Sequence, residues 1–146
     1  MQEKAKEIAE KYHKNSKRRS GEDYIEHSKR VAENVSKITD NPELISAAYL
    51  HDTIEEAKDN LQTIKKLKEE IKNLSPKVLE YVENLTHDKN IEDYEEYINR
   101  ISKNDKILLL KFCDITDNLI DNPTEKQKEK YRKALTILLV KISERK

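Results

Sequence analysis

The sequence predicts an all-α protein, and three observations carry that expectation. Apolar residues recur at spacings of three and four along nearly the whole chain, the period of helices that each bury one stripe. The 146 residues include one Gly and three Pro, too few turn formers for a many-stranded sheet. Lys, Glu, Leu and Ile, which suit helices, are abundant. A chain of this length fits one domain, residues 1–146, able to bury about two-thirds of the surface that its unfolded form exposes. The expected architecture is a single-domain bundle of about seven or eight helices.

Each helix has its own signal. A first spans about 2–15, followed by a polar loop, Asn15 to Asp23, that contains the only Gly. A second runs from about Asp23 to Ile38 on the stripe Tyr24, Val31, Val35 and Ile38. Asn41-Pro42-Glu43 opens a third, because Asn caps free amides and Pro tolerates the first helical position. That helix is expected to reach Glu55 or Glu56. Others follow at about 60–73, at 76–87 behind Ser75-Pro76, and at 91–102, with two longer ones at 105–121 and 124–143. No internal repeat or low-complexity tract interrupts them.

Composition narrows the function classes. Charged residues make up 40% of the chain, balanced at 29 basic and 29 acidic, so no field of one sign draws it to nucleic acid or to a membrane surface. The N-terminus is charged from Glu3 onward, and no apolar run approaches the roughly 18 residues of a span. A cytoplasmic protein with no membrane and no nucleic-acid partner is expected; its oligomeric state stays open. Cys113 has no second cysteine to pair with, which excludes an intramolecular disulfide, and its apolar neighbours make it a core residue. There is no Gly-rich phosphate loop and no Ser in a nucleophile-elbow context. His13 and His87 lie near helix ends among charges, where an exposed His is the ordinary outcome, and neither is taken as a ligand.

The chemistry lies elsewhere. His27 sits three residues after Tyr24 and four before Val31, so it points inward. On the third helix the stripe Leu44, Ile45 and Ala48 continues into His51 and Asp52 and, one turn later, Glu55 and Glu56. Burying unpaired carboxylates is costly, so this face needs a cation beside it. Asp114 falls on the stripe of Ile107, Leu110 and Lys111, and Asn118 follows one turn on. Two imidazoles, His27 and His51, with two carboxylates, Asp52 and Asp114, suit one Mn(II), Fe(II) or Mg(II) ion better than closed tetrahedral zinc, with water as the nucleophile.

Four segments then point to a family. AEKYHKNSKRRSGEDYIEHSKRVAENV resembles the opening of the hydrolase domain in RelA/SpoT-type (p)ppGpp enzymes and stand-alone small alarmone hydrolases, within the HD-domain phosphohydrolase superfamily. AAYLHDTIEEA resembles that family's Leu-His-Asp-x-x-Glu-Asp motif, VENLTHDK its segment ending in Val-Thr-Lys, and LLLKFCDITDN its Lys-x-x-Asp-x-x-x-Asn. The resemblance covers about residues 9–122. It implies removal of the 3′-pyrophosphate from a guanosine tetra- or pentaphosphate, an alarmone of the stringent response, with His27, His51, Asp52 and Asp114 as Mn(II) ligands. Glu55 and Glu56 would orient or deprotonate water and handle the leaving group. Arg18 would lie beside the nucleotide base, Lys17, Arg19 and Ser20 would contact base or phosphates, and Asn118 would contact the nucleotide.

Departures from the family pattern bear on substrate more than on chemistry. Ile115 stands where an Arg usually follows the metal Asp, Asp121 where a Thr is common, Asp23 for a usual Pro and Glu56 for a usual Asp. No synthetase domain is expected to follow. Two other readings remain: an HD-domain phosphohydrolase for another nucleotide, such as a nucleoside monophosphate, and a nucleotide-binding module without turnover.

Overall fold

The computed structural model describes residues 1–58 and 60–145, and among these it is all helical apart from loops and one isolated antiparallel bridge between Lys17 and Asp23. Two compact units divide the chain, Met1–Thr86 and His87–Lys146. The first holds α1 (Gln2–Tyr12), α2 (Tyr24–Ser36), α3 (Pro42–Leu50), α4 (Thr53–Glu56), α5 (Leu61–Leu74) and α6 (Pro76–Leu85). The second holds α7 (Tyr94–Ile101), α8 (Asp105–Ile120) and α9 (Glu125–Glu144).

The first unit is built around α3. Leu44, Ile45, Ser46, Ala47, Ala48 and Leu50 are all buried, so this helix is covered on nearly every side, as a helix apolar all round must be. It packs against α1, α2 and α6. Asn41 accepts from the amides of Glu43 and Leu44 with Pro42 behind it, the start that the sequence predicts. The hydroxyl of Ser75 caps α6 and also donates to Glu43 at 2.8 Å, tying α6 to α3. Lys11 and Tyr12 of α1 both bond to Glu70 of α5. In the second unit, capping boxes at Asp93 and Thr124 begin α7 and α9, and Asn104 caps α8.

Two expectations are corrected here. The third helix does not continue to Glu55 or Glu56. It ends at Leu50 because side chains take its last carbonyls: His51 Nδ1 lies 2.6 Å from the Ala48 oxygen, and the Thr53 hydroxyl donates to the Leu50 oxygen at 2.7 Å. Asp52, at φ −100° and ψ −1°, makes the bend, and α4 resumes for a single turn. Ile38 is also not part of the buried stripe of α2. That helix stops at Ser36, and Ile38 is exposed beyond it.

Candidate metal centre

The break after α3 sets the geometry of the site. His51 is buried, and its Nδ1 faces a carbonyl, which only accepts, so Nδ1 carries the proton and Nε2 is left with its lone pair. That Nε2 lies 3.1 Å from Oδ2 of Asp52. His27, buried on α2, presents its own Nε2 to the same oxygen at 3.4 Å. The Tyr24 hydroxyl donates to it at 2.9 Å. Single ligand atoms of His27, His51 and Asp52 all lie within 4.8 Å of one another. Two donors each about 2.1 Å from one ion and at right angles to each other are about 3 Å apart, so these spacings fit a shared divalent cation.

Of the two glutamates, Glu56 is half-buried and Glu55 is exposed. Burial, reinforced by the Asp52 carboxylate, holds the Glu56 carboxyl above its ordinary range, although Lys58, a hydrogen bond with Tyr24, and Arg18 pull the other way. Tyr24 thus serves both Asp52 and Glu56.

The loop before α2 is a tight hairpin. The Arg18 amide donates to Glu22 and the Gly21 amide to Arg18, each at 2.8 Å, around Arg19 and Ser20. Gly21 sits at φ +93°, a left-handed conformation that L side chains rarely adopt, and nothing within 4 Å would meet an added Cβ. The dihedral, not space, requires Gly there. Arg18 is half-buried with its guanidinium carbon 5.6 Å from the centre of the Tyr24 ring, which brings it to the site. Lys17, Arg19 and Ser20 are exposed; Lys17 is ion-paired with Asp23.

In the second unit, Asp114 is buried on α8. Its Oδ2 accepts from Lys111 Nζ at 2.8 Å and its Oδ1 from the Asn118 amide at 3.4 Å. Burial alone would push the Lys111 ammonium down, but the Asp114 carboxylate and the rings of Tyr97 and Tyr94 outweigh it and hold Lys111 well above its usual value. Cys113 is buried as expected, and burial, with Asp114 adding, raises its thiol to about 11, too high for a thiolate nucleophile.

Three buried or site-facing polar residues, two in the first unit and one in the second, were not singled out in the sequence. Tyr24 was assigned only to a stripe. Asp117 is buried one turn after Asp114. His13, expected to be exposed, is 3% exposed and stacks on Tyr24 with ring centres 4.8 Å apart. Its signal was the spacing of four from Ala5 and Ala9, both fully buried, which sets all three on one face of α1. His87 is half-buried rather than exposed and stacks on Tyr97 at 4.7 Å.

Two imidazoles and a carboxylate gathered at the ends of packed helices define an all-α protein with a centre compatible with one divalent cation. The pattern of an HD domain matches residues 5–145, and the chain belongs to the HD-domain family. It is 32% identical over 121 residues to the guanosine-3′,5′-bis(diphosphate) 3′-pyrophosphohydrolase of Aquifex aeolicus (strain VF5), covering 80% of this chain and 17% of that relative. It is 29% identical over 119 residues to the protein of the same name from Haemophilus influenzae (strain ATCC 51907 / DSM 11121 / KW20 / Rd), covering 77% and 17%. Against the GTP pyrophosphokinase of Streptomyces coelicolor (strain ATCC BAA-471 / A3(2) / M145) the identity is 25% over 140 residues, covering 92% and 16%. The chain spans about a sixth of the length of these relatives. No helix among the described residues is long and apolar enough to cross a membrane.

Proposed function

We propose that the chain is a cytoplasmic metal-dependent phosphohydrolase that removes the 3′-pyrophosphate from (p)ppGpp, with His27, His51, Asp52 and Asp114 holding one Mn(II) ion. The observation that carries this reading is the convergence of two imidazole Nε2 atoms and a phenol on one oxygen of Asp52, with the His51 tautomer fixed by the Ala48 carbonyl. Asp114 enters through the order His27, His51-Asp52, Asp114 that the family resemblance implies, and its carboxylate is held in place by Lys111 and Asn118. A family match running from residue 5 to residue 145 supports treating both units as one functional domain.

A divalent ion held by these residues would polarise a phosphate oxygen and make water more acidic. Glu56, half-buried and with its carboxyl raised by burial and by Asp52, is the group assigned to take the proton of the attacking water and return it to the leaving oxygen. Tyr24 donates to Asp52 and fixes the carboxylate orientation. Arg18 supplies a planar guanidinium beside Tyr24 to hold the base or a phosphate. Water adds across the P–O bond at the 3′ oxygen, and the products are GDP or GTP and pyrophosphate.

One observation favours a second reading within the same chemistry, a different nucleotide. Ile115, where the family usually carries Arg, is fully buried, so that position offers a substrate neither charge nor hydrogen bond. A panel of ppGpp, pppGpp, nucleoside monophosphates and non-guanine polyphosphates incubated with Mn(II) separates the two. Pyrophosphate released from the guanosine 3′-pyrophosphates alone supports the first; turnover only of the other nucleotides overturns it.

A further inference from the structure

His13 is used by none of the chemistry above, yet it is buried, only 3% exposed. A neutral imidazole offers one N–H donor and one lone pair, and both need partners when water is excluded. Neither Nδ1 nor Nε2 of His13 has a hydrogen-bond partner among the described residues. The ring is not simply filling space. It stacks on Tyr24 with planes 21° apart, and the Tyr24 hydroxyl ends on the Asp52 oxygen that both ligand imidazoles face. Asp52, His51 and His27 all act on it electrostatically.

We infer that His13 is a positioning residue of the metal centre, holding Tyr24 by ring stacking and exchanging a hydrogen bond through a ring nitrogen with water at the His27–His51–Asp52 cluster. The inference rests on reading that cluster as a metal centre. Burial at the foot of α1 suits the role, because the backbone amide of His13 is fixed to the Ala9 carbonyl at 2.9 Å and the ring is clamped by Tyr24, so a nitrogen is held in one place. Burial, with His51 and His27 adding to it, pushes the ring down to about 4 against the pull of Asp52, so at neutral pH it stays uncharged and does not repel a cation. Groups that exchange hydrogen bonds with a metal's ligands and do not touch the ion typically change metal affinity by about 10- to 100-fold when removed.

The test is the affinity of the full chain for Mn(II) alone, by competition with a fluorescent chelator. His13→Phe keeps an aromatic ring on Tyr24 and removes both nitrogens; His13→Asn and His13→Gln lose the ring but return an amide near the Nδ1 or Nε2 position. The expected result is affinity about 10- to 100-fold weaker in His13→Phe, with one of the two amide variants recovering to within a few-fold of wild type. Wild-type affinity in His13→Phe overturns the inference. Equal loss in all three also overturns it, by assigning the residue to packing. If His13→Phe does not fold, the amide variants decide alone: one is expected to bind nearly as well as wild type and the other about 10-fold or more weaker, and equal affinity in the two overturns the inference. The outcome is separable from that of the proposed function. A protein that binds Mn(II) tightly and hydrolyses no nucleotide ends the functional reading and leaves this comparison valid, whereas unchanged affinity in His13→Phe ends the inference and leaves hydrolysis untouched.

Discussion

Protonation of His13 gives the fold a specific weakness in acid. Its ordinary value is 6.5, and burial first, then the neighbouring imidazoles of His51 and His27, lower it to about 4 in the folded chain despite the Asp52 carboxylate. Between those values the unfolded chain binds a proton that the folded chain refuses, so stability is complete above 6.5 and is lost as the pH falls toward 4. Each unit of difference corresponds to about 1.4 kcal/mol, which makes the loss about 2 kcal/mol by about pH 5 and about 3 kcal/mol near the folded value. Other groups titrate in the same range, and the raised Glu56 acts with the opposite sign, so the quantity to measure is a difference. Urea unfolding of wild type and His13→Phe, followed by circular dichroism in excess chelator, yields the stability gap at each pH. The gap is expected to shift in favour of His13→Phe by about 2 kcal/mol between neutral pH and about pH 5. A gap that stays flat across that interval refutes the burial argument for His13.

Other consequences follow from the same geometry. An ion that binds only the folded chain stabilises it by about 2.7 kcal/mol at a hundred times its Kd, so chelation is expected to lower Tm by roughly 10 °C and Mn(II) to restore it; calorimetry on His51→Ala should show no response to either. Glu56→Gln is expected to lower kcat by about 10² to 10⁴ with metal content unchanged, and Glu55→Gln, on an exposed carboxylate, to lower it less; steady-state kinetics with metal analysis checks both. In the same assay Arg18→Ala is expected to raise KM with little change in kcat, because a group that holds the nucleotide equally in ground and transition states acts on binding alone.

Helix starts were legible in the sequence because a capping residue is a local signal. Asn41 before Pro42 and Ser75 before Pro76 both cap where their types predict. So was the inward direction of His27, His51 and Asp114, since each continues an apolar stripe of its own helix. The break between His51 and Thr53 was not legible. It arises from side chains competing with the backbone for the Ala48 and Leu50 carbonyls, and the hydrophobic period is the same on either side of it. His13 was misread for a related reason: Lys11 and Lys14 beside it suggested solvent, whereas the spacing from Ala5 and Ala9 was the decisive pattern. The role of Tyr24 rests on which atom its hydroxyl reaches, and that depends on α3 packing beside α2.

Hydrolysis of a guanosine 3′-pyrophosphate by this chain is expected to require a divalent ion. Its most direct measurement is chromatographic separation of the products of ppGpp incubated with the chain in Mn(II) and, in parallel, in chelator. GDP and pyrophosphate in equal amounts are expected with Mn(II), and intact ppGpp in chelator. Intact ppGpp in the presence of a chain shown to carry one Mn(II) would contradict that expectation, as would equal turnover with and without the metal.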